Sequence, residues 1–98
     1  MDFTGIKVIE FSGDSCANCI TLMPILHRLV SQYSDVELLR IEVEDKNREI
    51  IERFKVDTLP TIIIAKDGVE KARSRGFQIE EILSIWLDAK LDEIRREI

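Results

Sequence analysis

The run from Ile6 to Phe11 places apolar side chains on both of its faces, with Ile6 and Val8 on one and Ile9 and Phe11 on the other. A strand at the surface shows apolar residues on one face only, so a strand of this kind needs a covering layer on each side. "TIIIA", residues 61 to 65, is a second run rich in branched residues. A sheet covered by helices on both faces meets that demand, which makes the expected fold class α/β.

The intervening segments supply the helices. Ile20, Leu22, Met23, Ile25, Leu26, Leu29, Val30 and Tyr33 recur at helical spacing, and Asp14 or Ser15 is placed to cap the helix they form. Pro24 lies inside it and predicts a kink, because proline removes one backbone bond and crowds the preceding turn. Val36 to Val43 reads as a second strand, with Arg40 and Glu42 alternating against Leu39, Ile41 and Val43. Asp45 then caps a short helix carrying Ile50, Ile51 and Phe54, on which Glu49 and Arg53 are spaced to pair. Lys66-Asp67-Gly68 predicts a hairpin turn into an antiparallel strand over Val69 to Ser74. Ile79, Ile82, Leu83, Trp86, Leu87, Leu91, Ile94 and Ile98 predict a long closing helix. The order is β-α-β-α-β-β-α: a central four-stranded mixed sheet flanked by three helices, in a single domain over 1–98 with no linker or repeat.

Composition narrows the function classes. A net charge of −5 disfavours a nucleic-acid partner, since tracking phosphates takes clustered lysine and arginine in excess. Asp2, Lys7, Glu10 and Asp14 interrupt the first 20 residues, so no signal peptide is expected there, and no stretch approaches membrane-spanning length. The expected setting is the cytoplasm, with no membrane partner, where a cysteine pair rests as thiols.

Both cysteines fall in "DSCANC", after the first strand and at the start of the first helix. Ligands and reactive groups collect at the carboxyl ends of parallel strands, so chemistry is expected in this loop. Two residues between cysteines suit a redox pair, half of a zinc site, or two small apolar core residues. For zinc, only His27 adds an obvious nitrogen, and it sits on the polar side of its helix; no metal site is expected.

From about Ile6 to Gly76 the chain resembles the thioredoxin family. The resemblance rests on "VIEF", "CANC", Pro24, the "LPT" of 59 to 61, the "KDG" hairpin and Gly76. It begins at the family's first central strand, so the expected version is a minimal thioredoxin-like fold without the opening strand and helix. It implies a thiol-disulfide oxidoreductase that reduces protein disulfides, needs no cofactor, serves electron transport and cell redox homeostasis, and is reset by a flavoprotein thioredoxin reductase. A monomer is expected.

Helix-terminal amides lower a thiol's pKa from about 8.5 into the range of roughly 3.5 to 7.5, which makes Cys16 the nucleophile; Cys19, one turn on, is the resolving thiol. The resemblance assigns Glu10 to the proton of Cys19, where relatives carry aspartate. The position where many relatives place a lysine near this acid matches Ile41, so Glu10 is expected to lack that partner. Pro60 resembles the family's cis-proline, which presents the Leu59 backbone to an extended substrate, and Gly76 matches a glycine beside the substrate groove. Ser15, Ala17 and Asn18 depart from the family's usual tryptophan and Gly-Pro; they remove an aromatic wall and add a backbone donor near the thiolate. Arg73 and Arg75 lie near Gly76, placed either to steer acidic partners or simply on a solvated strand face.

Two alternatives stand beside the reductase. A glutaredoxin-like enzyme coupled to glutathione would fit the short amino end, but "RSRGFQIEE" lacks a Gly-Gly-Asp-like cradle. A redox-sensing module that binds one partner would use Ile94 and Ile98, read as overhanging the core.

Overall fold

The computed structural model describes residues 2–97. Four strands, β1 (Ile6–Ser12), β2 (Val36–Glu42), β3 (Thr61–Lys66) and β4 (Val69–Arg75), form one sheet in the order β2-β1-β3-β4. β1 pairs parallel with β2 and antiparallel with β3, and β4 runs antiparallel to β3. The helices are α1 (Ala17–Val30), α2 (Arg48–Arg53) and α3 (Glu80–Arg95).

Strand alternation divides the core. Val8 of β1 and Ile62 and Ile64 of β3 meet Leu22, Leu26, Leu29 and Val30 of α1 and Leu83, Leu87, Leu91 and Ile94 of α3. On the other face Ile9, Phe11, Ile41, Ile63 and Ala65 pack with Phe54, supported by Ile50 and Ile51 of α2. Val8, Ile9, Phe11, Ile63 and Ile64 have no exposed surface, as the two-faced pattern requires. Each fully buried leucine, isoleucine or phenylalanine contributes about 1.5–3 kcal/mol by leaving water. The hairpin places Asp67 at φ 51° and Gly68 at φ 84°. Two left-handed residues in succession are what a two-residue turn between twisted strands needs.

Several local expectations are corrected. Cys16 itself, with extended φ/ψ, occupies the cap of α1, and Ser15 before it is left-handed at φ 60°, so neither Asp14 nor Ser15 caps the helix. Pro24 lies inside α1 as expected and leaves the Ile20 carbonyl without its i+4 donor, the local condition from which the kink was predicted. The second strand ends at Glu42, and a 3₁₀ turn over Asp45–Asn47 precedes α2. Arg53 donates to the Gly68 carbonyl at 2.7 Å and lies over the rings of Phe3 and Phe54, rather than pairing with Glu49. On α3, Ile79 and Ile82 stay half exposed while Ile94 is buried at 3 %, so Ile94 closes the core instead of overhanging it. Ile98 lies outside the described residues. Among the described residues no helix is long and apolar enough to cross a membrane.

Candidate active site

Strand register assembles the site from three separate stretches of chain. Phe11 pairs with Thr61, and Thr61 pairs with Arg75. The end of β1, the start of β3 and the end of β4 therefore share one edge of the sheet, which brings the loop after Ser12, Leu59-Pro60 and Gly76 together. The Leu59–Pro60 peptide bond is cis, and the Pro60 carbonyl accepts a hydrogen bond from the Gly76 amide at 2.7 Å. Leu59 lies so close to the active loop that a Cβ added at Gly13 would fall 2.8 Å from its Cδ1. Gly76 adopts φ 84° and has open space where a side chain would be.

Cys16 and Cys19 are joined as a disulfide with their Cα atoms 5.2 Å apart. This is the oxidised half of the couple, where thiols were expected. The Sγ of Cys16 also accepts a hydrogen bond from the Cys19 amide at 3.2 Å, so the sulfur satisfies one of the amides that a helix start leaves unpaired. The same amide is positioned to favour a thiolate once the bond opens. The two sulfurs differ in access: Cys16 is partly exposed, whereas Cys19 is 1 % exposed and begins the inward stripe continued by Leu22, Leu26 and Leu29. Asp14, Ser15, Ala17 and Asn18 are all exposed around the pair.

Glu10 shares a β1 face with Val8, the face that α1 covers. It is 0 % exposed. Its Oε1 accepts from Nε of Arg40 at 3.0 Å, while Oε2 has no partner among the described residues. Burial pushes the Glu10 carboxyl above its ordinary value, the hydrogen bond and charge of Arg40 pull it partly back, and the Glu42 charge adds to the rise. The lysine expected to be missing at Ile41 is indeed missing, but Arg40 supplies a cation from the neighbouring position. Parallel register sets Glu10 opposite Arg40, on one face, while Ile41 points to the other core with Ile9 and Phe11. Aligning Val36 with Ile6 by counting along the two strands would have found this pair; inspecting β2 alone could not.

Two buried hydroxyls escaped the sequence reading. The Ser12 hydroxyl donates to Glu42 Oε1 at 3.1 Å, and the Thr61 hydroxyl donates to the Thr58 carbonyl at 2.6 Å. Both tie down the strand ends that carry the site. Arg73 is engaged by Glu70 and the Phe54 carbonyl, and Arg75 by Asp57, whose carboxyl that guanidinium holds below its ordinary value. These arginines brace β4 to the segment before β3. No group of three or more metal-ligating side chains occurs among the described residues, and His27 is exposed.

Residues 3–89 match the family model for thioredoxin. The chain belongs to the thioredoxin family. It is 33% identical over 89 residues to a thioredoxin of Staphylococcus haemolyticus, covering 90% of this chain and 85% of that protein. A thioredoxin of Chlamydia pneumoniae is 33% identical over 81 residues, which is 83% of this chain and 78% of its own length. The Fasciola hepatica thioredoxin structure superposes with a TM-score of 0.77 at 27% identity, covering 89% of this chain and 83% of that one. Oxidised mitochondrial thioredoxin 3 of Saccharomyces cerevisiae gives 0.76 at 26% identity, covering 88% and 79%. The α/β fold read from the strands is the thioredoxin fold, and the cysteine pair places the chain among the thiol-disulfide oxidoreductases of this family.

Proposed function

We propose that this thioredoxin-family protein reduces protein disulfides. The Cys16 thiolate attacks one sulfur of the substrate disulfide, forming a mixed disulfide and expelling the other sulfur as a thiolate. The Cys19 thiol then passes its proton to the Glu10 carboxylate, with Oε2 the oxygen open to receive it, and the Cys19 sulfur attacks Sγ of Cys16. The second substrate thiolate leaves and the Cys16–Cys19 disulfide remains. Two electrons have moved from the protein to the substrate; its two thiolates take up protons from solvent, and Glu10 releases to solvent the proton it took from Cys19. A flavoprotein thioredoxin reductase returns the electrons.

The observation that carries this reading is the asymmetry of the pair: a partly exposed Cys16 at the helix cap, bonded to a buried Cys19. The accessible sulfur suits attack on a bulky partner, and the buried one suits an intramolecular second step. Leu59 beside the loop and the side-chain-free space at Gly76 support an extended substrate backbone docking alongside. Neither aspect requires a cofactor, and the compartment proposed is the cytoplasm.

Insulin-disulfide reduction with dithiothreitol tests the reading. The wild type accelerates precipitation of the insulin B chain, Cys16→Ser abolishes that acceleration, and Cys19→Ser accumulates mixed disulfides with partner proteins. Activity that survives Cys16→Ser would refute it.

A further inference from the structure

The outer face of α1 runs from Cys16 through Ile20 to Pro24 and on to His27 and Arg28, at steps of three or four residues. Ile20 is 67 % exposed. Beyond it lies a depression of about 480 Å³ lined by Met23, Pro24, His27, Arg28 and Arg40. Its lining joins the apolar Met23 and Pro24 to His27 and two guanidiniums, each paired with a carboxylate, of which Glu10 is buried and Glu80 is 43 % exposed.

Each of these guanidiniums is steadied by its carboxylate. Nη2 of Arg28 donates to Glu80 Oε1 at 2.5 Å, and Nε of Arg40 donates to Glu10 Oε1 at 3.0 Å. The Arg28 and Arg40 side chains nevertheless remain 55 % and 34 % exposed, so donors of both forks stay within reach of a visiting group. Glu10 lies wholly behind Arg40 and shows no charge to solvent. A helix rises about 1.5 Å per residue, so the centre of the depression is ~14 Å along α1 from Cys16. An extended chain covers that span in about four residues.

We propose that this depression docks an acidic segment of the disulfide partner, about four residues from the cysteine that Cys16 attacks. An apolar side chain of the partner rests on Met23 and Pro24, and adjoining carboxylates meet Arg28 and Arg40 alongside His27. Charge complementarity selects the occupant: the guanidiniums offer hydrogen-bond donors in planar forks that match carboxylates, and the apolar part of the lining suits a neighbouring leucine-sized side chain. The inference rests on the protein-disulfide reductase reading and names the kind of partner that this site prefers.

The test uses the reduced full chain in single-turnover reactions with two capped peptides. One carries Leu-Asp-Asp and the other Leu-Lys-Lys, about four residues from a cysteine blocked as its 2-hydroxyethyl disulfide, each made in both chain directions. At low ionic strength the acidic peptide is expected to react about fivefold faster in one direction, with the preference shrinking in about 0.5 M salt. Arg28→Glu is expected to invert the preference. His27→Glu, which leaves the Arg28 to Glu80 pair intact, is expected to reduce it. A faster reaction of Arg28→Glu with the basic peptide cannot come from misfolding, so it supports the site directly. Equal rates for the two wild-type peptides would overturn the docking site and leave the reductase reading standing. An acidic preference unchanged in both variants would overturn it too, since the charges responsible then lie elsewhere. If neither peptide is reduced, the reductase reading falls and the docking site falls with it.

Discussion

Glu10→Gln replaces the buried carboxylate by an amide of the same shape, and its effect on stability follows from the surroundings of Glu10. In the wild type one carboxylate oxygen is bonded to Arg40 and the other has no partner among the described residues, at zero exposure. An unsatisfied buried acceptor costs about 1–3 kcal/mol, more when charged, while a hydrogen bond to a charged group returns about 1.5–3 kcal/mol. The amide keeps an acceptor for Arg40 and carries no charge that must leave water. We expect it to stabilise the disulfide form by about 1–2 kcal/mol at neutral pH, equal to a rise in Tm of about 4–8 °C per kcal/mol for a domain of this size. The pH dependence is the sharper signature. Because the folded-state pKa of Glu10 is raised above its ordinary 4.5, the wild type has its full relative stability below that value and loses it as pH rises toward and through the folded pKa. At neutral pH it either holds the buried charge or has taken up a proton that the unfolded chain has released, and both lower its stability. Urea titrations of the two proteins should therefore differ near pH 7.5 and converge below about pH 4.5. A less stable variant at neutral pH, or a difference that does not change with pH, would refute the argument.

Other perturbations follow from single features. Leu87→Ala empties a fully buried position between α3 and the sheet and should cost about 2–5 kcal/mol in urea denaturation. Gly76→Ala meets no neighbouring atom but must hold φ 84°, so a loss of about 1–2 kcal/mol is expected from backbone conformation alone, read as a lowered Tm. Asn18→Pro removes one of the first-turn amides of α1, whose N-cap is Cys16. The reduced protein should then hold less thiolate at a given pH, measured by the ultraviolet absorbance of the thiolate.

The sheet and its site were legible to different degrees. The two-faced apolar runs at Ile6 to Phe11 and Thr61 to Ala65 required a covered sheet, and Asp67-Gly68 announced its hairpin; both are local demands of alternation and backbone conformation. The place of Cys16 and Cys19 in the loop after the first strand followed from the order of elements, while Pro60 and Gly76 were singled out by the resemblance to the thioredoxin family. Less legible was the closing helix, because Ile79 and Ile82 share helical spacing with the buried Leu83 and Leu87, and periodicity alone does not say how wide a stripe its neighbours will cover.

What the sequence determined by itself was a mixed sheet between helices with a cysteine pair in the loop after its first strand, because each of those features is written in residues near one another in the chain; that the pair exchanges disulfides was implied by the resemblance to the thioredoxin family. Only the tertiary structure decided which groups surround the pair. The register of β1 against β2 set Arg40 rather than an apolar residue beside Glu10, and the left-handed turn at Ser15 delivered Cys16 to the cap of α1. The packing of α3 on α1 joined Glu80 to Arg28. The Glu10–Arg40 and Arg28–Glu80 pairs are meetings between residues distant in the chain, set by how layers and strands align, and alternation within a single segment carries no record of them.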